Sequence, residues 1–281
     1  MIFSRIKSHA KLNLALNITG KTSSLHKIES VIGFTSFHDD IFIKKIKSET
    51  HDISFFGKFS KNIGKNNTIS KLLKILEKKK FLQNTKFKIK INKKIPIKAG
   101  LGGGSMNAAS ILNYFIKRKI IKINKRGISE ICNLVGSDVI LGLSPTNSIL
   151  TSKNEIKCFK DSKKFQILIV KPNFGCSTKN VYSKVKTYNK SIFNKSDKKL
   201  FESNFLKKLN NDLEPIVFSK YPELKRIKLF LESLANPAFV RMTGSGSALV
   251  AYYQSKKRLE YAKIKFRKNY KNYWCIASKT I

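Results

Sequence analysis

Between Pro96 and Asn107 the chain reads Pro-Ile-Lys-Ala-Gly-Leu-Gly-Gly-Gly-Ser-Met-Asn, with glycine at 100, 102, 103 and 104. Residues without a Cβ let backbone N–H groups come close to a ligand, and a helix opening directly after them adds the partial positive charge of its first turn. Together these features make a cradle for phosphate groups. One glycine suffices for an ordinary strand-to-helix turn, so this run asks for more than a turn. Ser105 offers a hydroxyl to a phosphate or to Mg2+. The run is not a dinucleotide fingerprint, because no G-x-G-x-x-G is followed about twenty positions later by an acidic residue closing a βαβ unit. Ala15-Leu16-Asn17-Ile18-Thr19-Gly20-Lys21-Thr22 spells the P-loop pattern except for its first glycine. That pattern follows a buried strand and opens a helix, whereas here its first half is itself an alternating strand. Two charged residues stand out by position: Asp138, on a Gly-Ser-Asp-Val turn beside apolar Val135 and Ile140, and Lys11, between Ala10 and Leu12 in an otherwise uncharged strand. Either alone would most often be a surface charge. His26-Lys27-Ile28-Glu29 lacks the second histidine of a metal site and reads as a loop or a substrate contact.

The elements that must position these residues follow from periodicity. Residues 11–18 alternate apolar and polar, Ile41-Phe42-Ile43 resumes that pattern after a His38-Asp39-Asp40 turn, and a β-meander is expected. Ile69, Leu72, Leu73, Ile75 and Leu76, preceded by the capping candidates Asn66-Asn67-Thr68, predict an amphipathic helix over 65–80. Phe87-Lys88-Ile89-Lys90-Ile91 alternates strictly, and residues 107–115 form a good helix, so the glycine run lies between a strand and a helix. A short helix is expected after Gly127, a boundary near 144–160, a strand over 165–170, a charged mobile stretch over 184–208, a helix over 222–234, and a strand over 248–253 after Gly244-Ser245-Gly246-Ser247.

Lys and Arg number 57 against 17 Asp and Glu, a formal charge of +40, which brings polyanion binding into question. Fifty of the basic residues are Lys, spread from Lys7 to Lys279, and Arg, which suits bidentate phosphate and guanine contacts, is scarce. A solvated basic surface that tolerates or steers a negatively charged substrate fits better than a nucleic-acid interface. No stretch reaches the roughly 18 uncharged apolar residues of a membrane span, and the N-terminus makes a poor signal peptide. Cysteines at 132, 158, 176 and 275 contain no CxxC pair, so neither a zinc site nor a disulfide framework is indicated, and a cytoplasmic location is expected.

Taken together, the segments resemble the GHMP kinase superfamily nearly end to end. Ala10-Lys11-Leu12-Asn13-Leu14 matches its opening A-K-(L/I)-N-L. The run from Pro96 through Ser105 matches P-x-x-x-G-L-G-G-G-S, and Met242-Thr243-Gly244-Ser245-Gly246-Ser247 matches its third motif. Lys171-Pro172 with Ser177-Thr178 and Val181-Tyr182, Asn211-Asp212-Leu213-Glu214-Pro215, and Gly136-Ser137-Asp138-Val139 narrow the likeness to the branch that acts on a cytidyl diphosphate. The resemblance implies an α+β chain in two domains. Residues 1–155 would form an ATP-binding domain like ribosomal protein S5 domain 2, and 156–281 a ferredoxin-like domain. It implies transfer of the γ-phosphoryl group of ATP, with Mg2+, to the 2-hydroxyl of 4-diphosphocytidyl-2-C-methyl-D-erythritol in the non-mevalonate isoprenoid route.

In that reading Asp138 and Lys11 are catalytic. Pro96, Ile97, Lys98, Ala99, Gly100, Leu101, Gly102, Gly103, Gly104, Ser105, Met106, Gly244, Ser245 and Gly246 bind ATP, and Asn13, Leu25, His26, Tyr182 and Thr243 bind the substrate. Metal ligands are not assigned. The partners implied are small molecules, with no specific nucleic acid or membrane, in a monomer or weak homodimer. The chain departs from the family at Ser24-Leu25-His26, where G-Y-H is usual, so the stacking tyrosine is missing. Met106 and Ser137 replace a common Ser and Ala. Homoserine- or mevalonate-type kinases, a related decarboxylase and a basic nucleic-acid-binding protein are the alternatives.

Overall fold

A computed structural model of the chain describes residues 2–23, 25–160 and 162–281. In chain order the elements are β1 (Ser4–Lys21), β2 (His26–Ile46), β3 (Asp52–Phe56), α1 (Thr68–Lys78), β4 (Lys86–Asn92), α2 (Gly103–Lys117), α3 (Lys125–Val135), β5 (Ser148–Leu150) and β6 (Ile156–Cys158). There follow β7 (Gln166–Lys171), α4 (Thr178–Tyr182), α5 (Ser203–Lys208), α6 (Glu214–Lys220), α7 (Pro222–Ser233), β8 (Phe239–Met242), β9 (Leu249–Tyr253), α8 (Lys256–Asn269) and β10 (Trp274–Lys279). Contacts divide them into two compact units interleaved along the chain. The first holds the residues up to Lys11, Phe37–Ile97 and Gly102–Pro145, and the second holds Leu12–Ser36, Lys98–Leu101 and Thr146–Ile281.

In the first unit, β4 pairs antiparallel with the far end of β2, from Asp40 opposite Asn92 to Ile46 opposite Lys86, and parallel with β3. The strict alternation of β4 buries Phe87, Ile89 and Ile91 on one face. Against them and Ile41 and Ile43 pack Leu72 and Leu76 of α1, Ala108, Leu112 and Phe115 of α2, and Cys132 and Val135 of α3. α1 starts where its sequence says it should, because the Asn67 side chain accepts from the backbone N–H groups of Ile69 and Ser70 and caps the first turn. The expected turn at His38-Asp39-Asp40 is absent, and β2 runs straight through it. Both carboxylates find donors close by: Asp39 accepts from Lys93 and from the backbone of Lys94 and Ile95, just past the end of β4, and Asp40 from Arg5 and Lys94. Satisfied in this way, acidic residues need no turn to reach solvent.

In the second unit, β7, β8, β9 and β10 form an antiparallel sheet in the order β10-β7-β9-β8. With helices between β7 and β8 and α8 between β9 and β10, this is the ferredoxin-like β-α-β-β-α-β arrangement the resemblance implied. Leu224, Ile227 and Leu231 of α7 and Leu259, Ala262 and Phe266 of α8 pack on Leu168, Val170, Val240, Leu249 and Ala251. The near end of β2 pairs with β5, and β5 with β6. The stretch 184–208, expected to be mobile, is anchored. Glu29, fully buried, accepts from Ser191 Oγ and from the backbone N–H groups of Ile192 and Phe193, and Phe193 itself is buried. No helix among the described residues is long and apolar enough to cross a membrane.

Candidate active site

α2 opens directly from the glycine run. Gly102, its N-cap, adopts the left-handed conformation (φ 66°), and no side chain caps the helix. The first intrahelical bond runs from Met106 N–H to Gly102 C=O, so the N–H groups of Gly103, Gly104 and Ser105 precede the ladder. Such a first turn attracts an anion. Lys11 packs its alkyl stem against this turn, since a Cβ on Gly102 would lie 3.4 Å from both Cβ and Cε of Lys11. Its ammonium pairs with Asp138 Oδ2 at 3.0 Å; the lysine side chain is buried, and the Asp138 carboxylate is one-third exposed. The turn carrying Asp138 also neighbours the hydroxyl of Ser105, 3.9 Å from where a Cβ on Gly136 would stand. The first unit thus gathers Lys11, Asp138, Ser105 and the start of α2.

Beneath that start lies a pair the sequence reading did not single out. Asp39, fully buried, accepts from Lys93 Nζ (2.6 Å), Lys94 N–H (2.8 Å), Ile95 N–H (2.7 Å) and Asn107 Nδ2 (3.1 Å). Lys93 Nζ donates in addition to Ile95 C=O at 2.7 Å. A Cβ on Gly103 would come within 2.9 Å of that ammonium, so position 103 must be bare because a buried lysine fills the space. Burial pushes the Lys93 ammonium below its ordinary pKa, against the pull of Asp39.

The second unit holds the other motif residues. Gly100 has φ +73°, and a Cβ there would collide with the carbonyl oxygen of Thr243. The Thr243 hydroxyl accepts from Asn13 N–H (3.0 Å) and donates to Gly100 C=O (3.1 Å). Asn13 Nδ2 donates to Ser30 Oγ at 2.8 Å. Asn211 Nδ2 donates to Met242 C=O and Gly244 C=O, both at 2.8 Å, and Glu214 accepts from Met242 N–H, so the Asn211–Glu214 segment shapes the third motif from behind. The Ser245 and Thr178 hydroxyls lie 2.9 Å apart. Lys98 C=O accepts from Cys176 N–H and Ser247 N–H, and Ala99 C=O accepts from Ala248 N–H.

Not all predicted binding residues face outward. Pro96, Ala99, Leu101 and Met106 are buried, and the Met106 thioether packs beside Gly142. They support the loop, leaving Ile97, Lys98, Gly100 and the bare backbone of 102–105 as its accessible parts. Leu25 is exposed at a hairpin tip where Thr22 bonds the Leu25 backbone, while Ser24 lies outside the described residues. The His26 ring stands 5.2 Å from Tyr182 and 6.4 Å from Tyr188, centroid to centroid. Burial, then the Lys21 charge, lowers the pKa of His26, which keeps its imidazole neutral at pH 7 with one donor and one acceptor nitrogen.

A bare helix start flanked by a Lys–Asp pair, in an α+β chain with a ferredoxin-like half, defines a small-molecule kinase of the GHMP type. The chain belongs to that family: the model for the GHMP kinases N terminal domain matches 67–144 and that for GHMP kinases C terminal matches 192–272. Over 277 residues, 99% of each chain, it is 58% identical to the 4-diphosphocytidyl-2-C-methyl-D-erythritol kinase of Pelagibacter ubique. The protein of the same name from Petrotoga mobilis is 34% identical over 87% of this chain and 96% of its own length. A crystal structure of 4-(cytidine 5'-diphospho)-2C-methyl-D-erythritol kinase shares the fold, with a TM-score of 0.81 over 99% of both chains at 20% identity.

Proposed function

We propose that this chain transfers the γ-phosphoryl group of ATP to the 2-hydroxyl of 4-diphosphocytidyl-2-C-methyl-D-erythritol, giving the 2-phosphate and ADP for isoprenoid precursor synthesis in the cytoplasm. The observation that carries the reading is the Lys11–Asp138 pair at 3.0 Å beside the uncapped start of α2. The N–H groups of 103–105 hold the donor's phosphates. Asp138 accepts the proton of the attacking hydroxyl or orients it, and Lys11 both fixes that carboxylate and meets the charge that builds on the transferring group. Positioning supplies most of the remaining rate.

Mg2+ is bound mainly by substrate phosphates and water, with one or two protein oxygens. The Ser105 hydroxyl, in the first turn of α2, fits that requirement and would hold the ion. Its contribution is to neutralise phosphate charge. His26, with its neutral imidazole, and Tyr182 recognise the cytosine. Asn13 and Thr243 fix the loop around Gly100, and Gly244, Ser245 and Gly246 shape the wall beside it. The enzyme works as a monomer or weak dimer.

The test is ADP release from Mg-ATP with the cytidyl substrate, run beside homoserine and mevalonate at moderate salt, with Asp138→Asn as the blank. Turnover with the cytidyl substrate alone is expected. Turnover of homoserine or mevalonate at a comparable kcat/KM would refute the assignment.

A further inference from the structure

Tyr188 lies in a segment with no regular secondary structure, yet its surroundings are fixed from the next residue onward. Asn189 N–H donates to Ile18 C=O at 2.8 Å, and Asn189 Nδ2 donates to Asp212 Oδ2 at 2.9 Å. Asn17 Nδ2 reaches Lys190 C=O at 2.9 Å and Glu29 Oε1 at 2.7 Å. Glu29, at 0% exposure, then takes Ile192 N–H (2.7 Å), Ser191 Oγ (2.7 Å) and Phe193 N–H (3.2 Å). A buried carboxylate is costly unless donors surround it, and here four donors do, three of them from 191–193. The consequence is local: the ring of Tyr188, nearly half exposed, is held near His26 on the same hairpin strand that carries Glu29. Tyr182 also stands near His26, at 5.2 Å. Three rings therefore gather in the second unit, while Leu25, beside His26 in sequence, points an aliphatic side chain into solvent.

We infer that Tyr188 is a specificity-determining residue for the pyrimidine base, supplying aromatic surface that Leu25 does not, and that Glu29 is the positioning residue that places it. The inference rests on the cytidyl substrate proposed above. Stacking of one base on an aromatic side chain corresponds to about 5–150-fold in affinity.

The experiment compares wild type, Tyr188→Leu, Tyr188→Phe and Glu29→Gln for KM of the cytidyl substrate, KM of ATP, kcat, and the Kd of CDP measured without ATP. Tyr188→Leu should raise the cytidyl KM and the CDP Kd by about 5–150-fold, leaving the KM of ATP in place, because uniform binding falls on KM. Tyr188→Phe, which keeps the ring, should retain wild-type values. Glu29→Gln turns one acceptor oxygen into a donor facing donors, so it should weaken CDP in the same direction; an unchanged CDP Kd in that variant overturns its positioning role. Should Glu29→Gln not fold, the Tyr188 variants, altered at a half-exposed ring, still decide the matter. Equal CDP affinity in Tyr188→Leu and a wild type that turns over the cytidyl substrate overturns the inference and leaves the function standing. A wild type that neither turns that substrate over nor binds CDP overturns both.

Discussion

Asp138→Asn separates catalysis from stability at the candidate site. The substitution keeps the shape of the side chain and removes its charge and its capacity to take a proton. On the rate side, loss of a general base costs about 10²–10⁴ in turnover, or about 3–5 kcal/mol of barrier. On the stability side the cost is small, because the carboxylate is one-third exposed and its pair with Lys11 is partly screened. Pairs of that kind contribute about 0–1 kcal/mol, which moves the melting temperature of a chain this size by no more than about 4 °C. The assays are coupled ADP release at saturating substrates and a thermal melt of the same preparation. Turnover within about tenfold of wild type would refute a proton-handling or orienting role for Asp138. A fall in turnover matched by a large fall in melting temperature would instead mark the pair as structural.

The neighbouring buried pair should behave in the opposite way. Asp39→Asn leaves the Lys93 ammonium buried without its counter-charge and should cost about 3–5 kcal/mol in urea unfolding, with Asp39→Asn/Lys93→Met more stable than the single variant; a single-variant cost below about 1 kcal/mol would contradict this. Gly100→Ala should destabilise by about 2–4 kcal/mol, from its left-handed backbone and the collision with Thr243 C=O. Gly64→Ala, where a Cβ meets open space, should stay within about 0.5 kcal/mol of wild type and serves as the control. Burial, opposed by Glu77, lowers the pKa of His51 from 6.5 in the folded chain, so its neutral form contributes stability that is complete above about 6.5 and is lost as pH falls toward the lower folded value. The stability gap between wild type and His51→Asn should therefore narrow from pH 7.5 to pH 5 in urea midpoints, and a constant gap would rule the mechanism out.

The parts of the site readable from sequence are those whose chemistry is local. The glycine run announces the uncapped start of α2 because four bare positions before a helix have few other uses, and Asp138 stands out because acids are scarce. Lys93 and Asp39 gave no such sign. A lysine at the end of an alternating strand looks like one of many solvated lysines, and its partner lies 54 residues away in what read as a turn. Tyr188 was hidden for a related reason, since a Lys- and Asn-rich stretch reads as mobile unless its buried acceptor, Glu29, is known to wait on another strand. The helix at Lys256–Asn269 is likewise masked by charge, with only Leu259, Ala262 and Phe266 on its inner face. Local patterning located the elements and the glycine-rich turn at the start of α2, and the long-range pairs that shape them became visible only in three dimensions.

The Glu29 anchor also bears on how the chain is made. Its three acceptor bonds to 191–193 join residues 162–164 positions apart. At about 5–20 residues per second, a ribosome needs roughly 8–30 s to deliver those donors after Glu29 has been synthesised. Throughout that interval the carboxylate has no native partner from the later segment and stays hydrated, so the hairpin carrying His26 cannot close its interior until more than half of the protein has been translated. The hairpin that carries His26 is therefore completed late, after the glycine-rich turn at the start of α2 has already emerged.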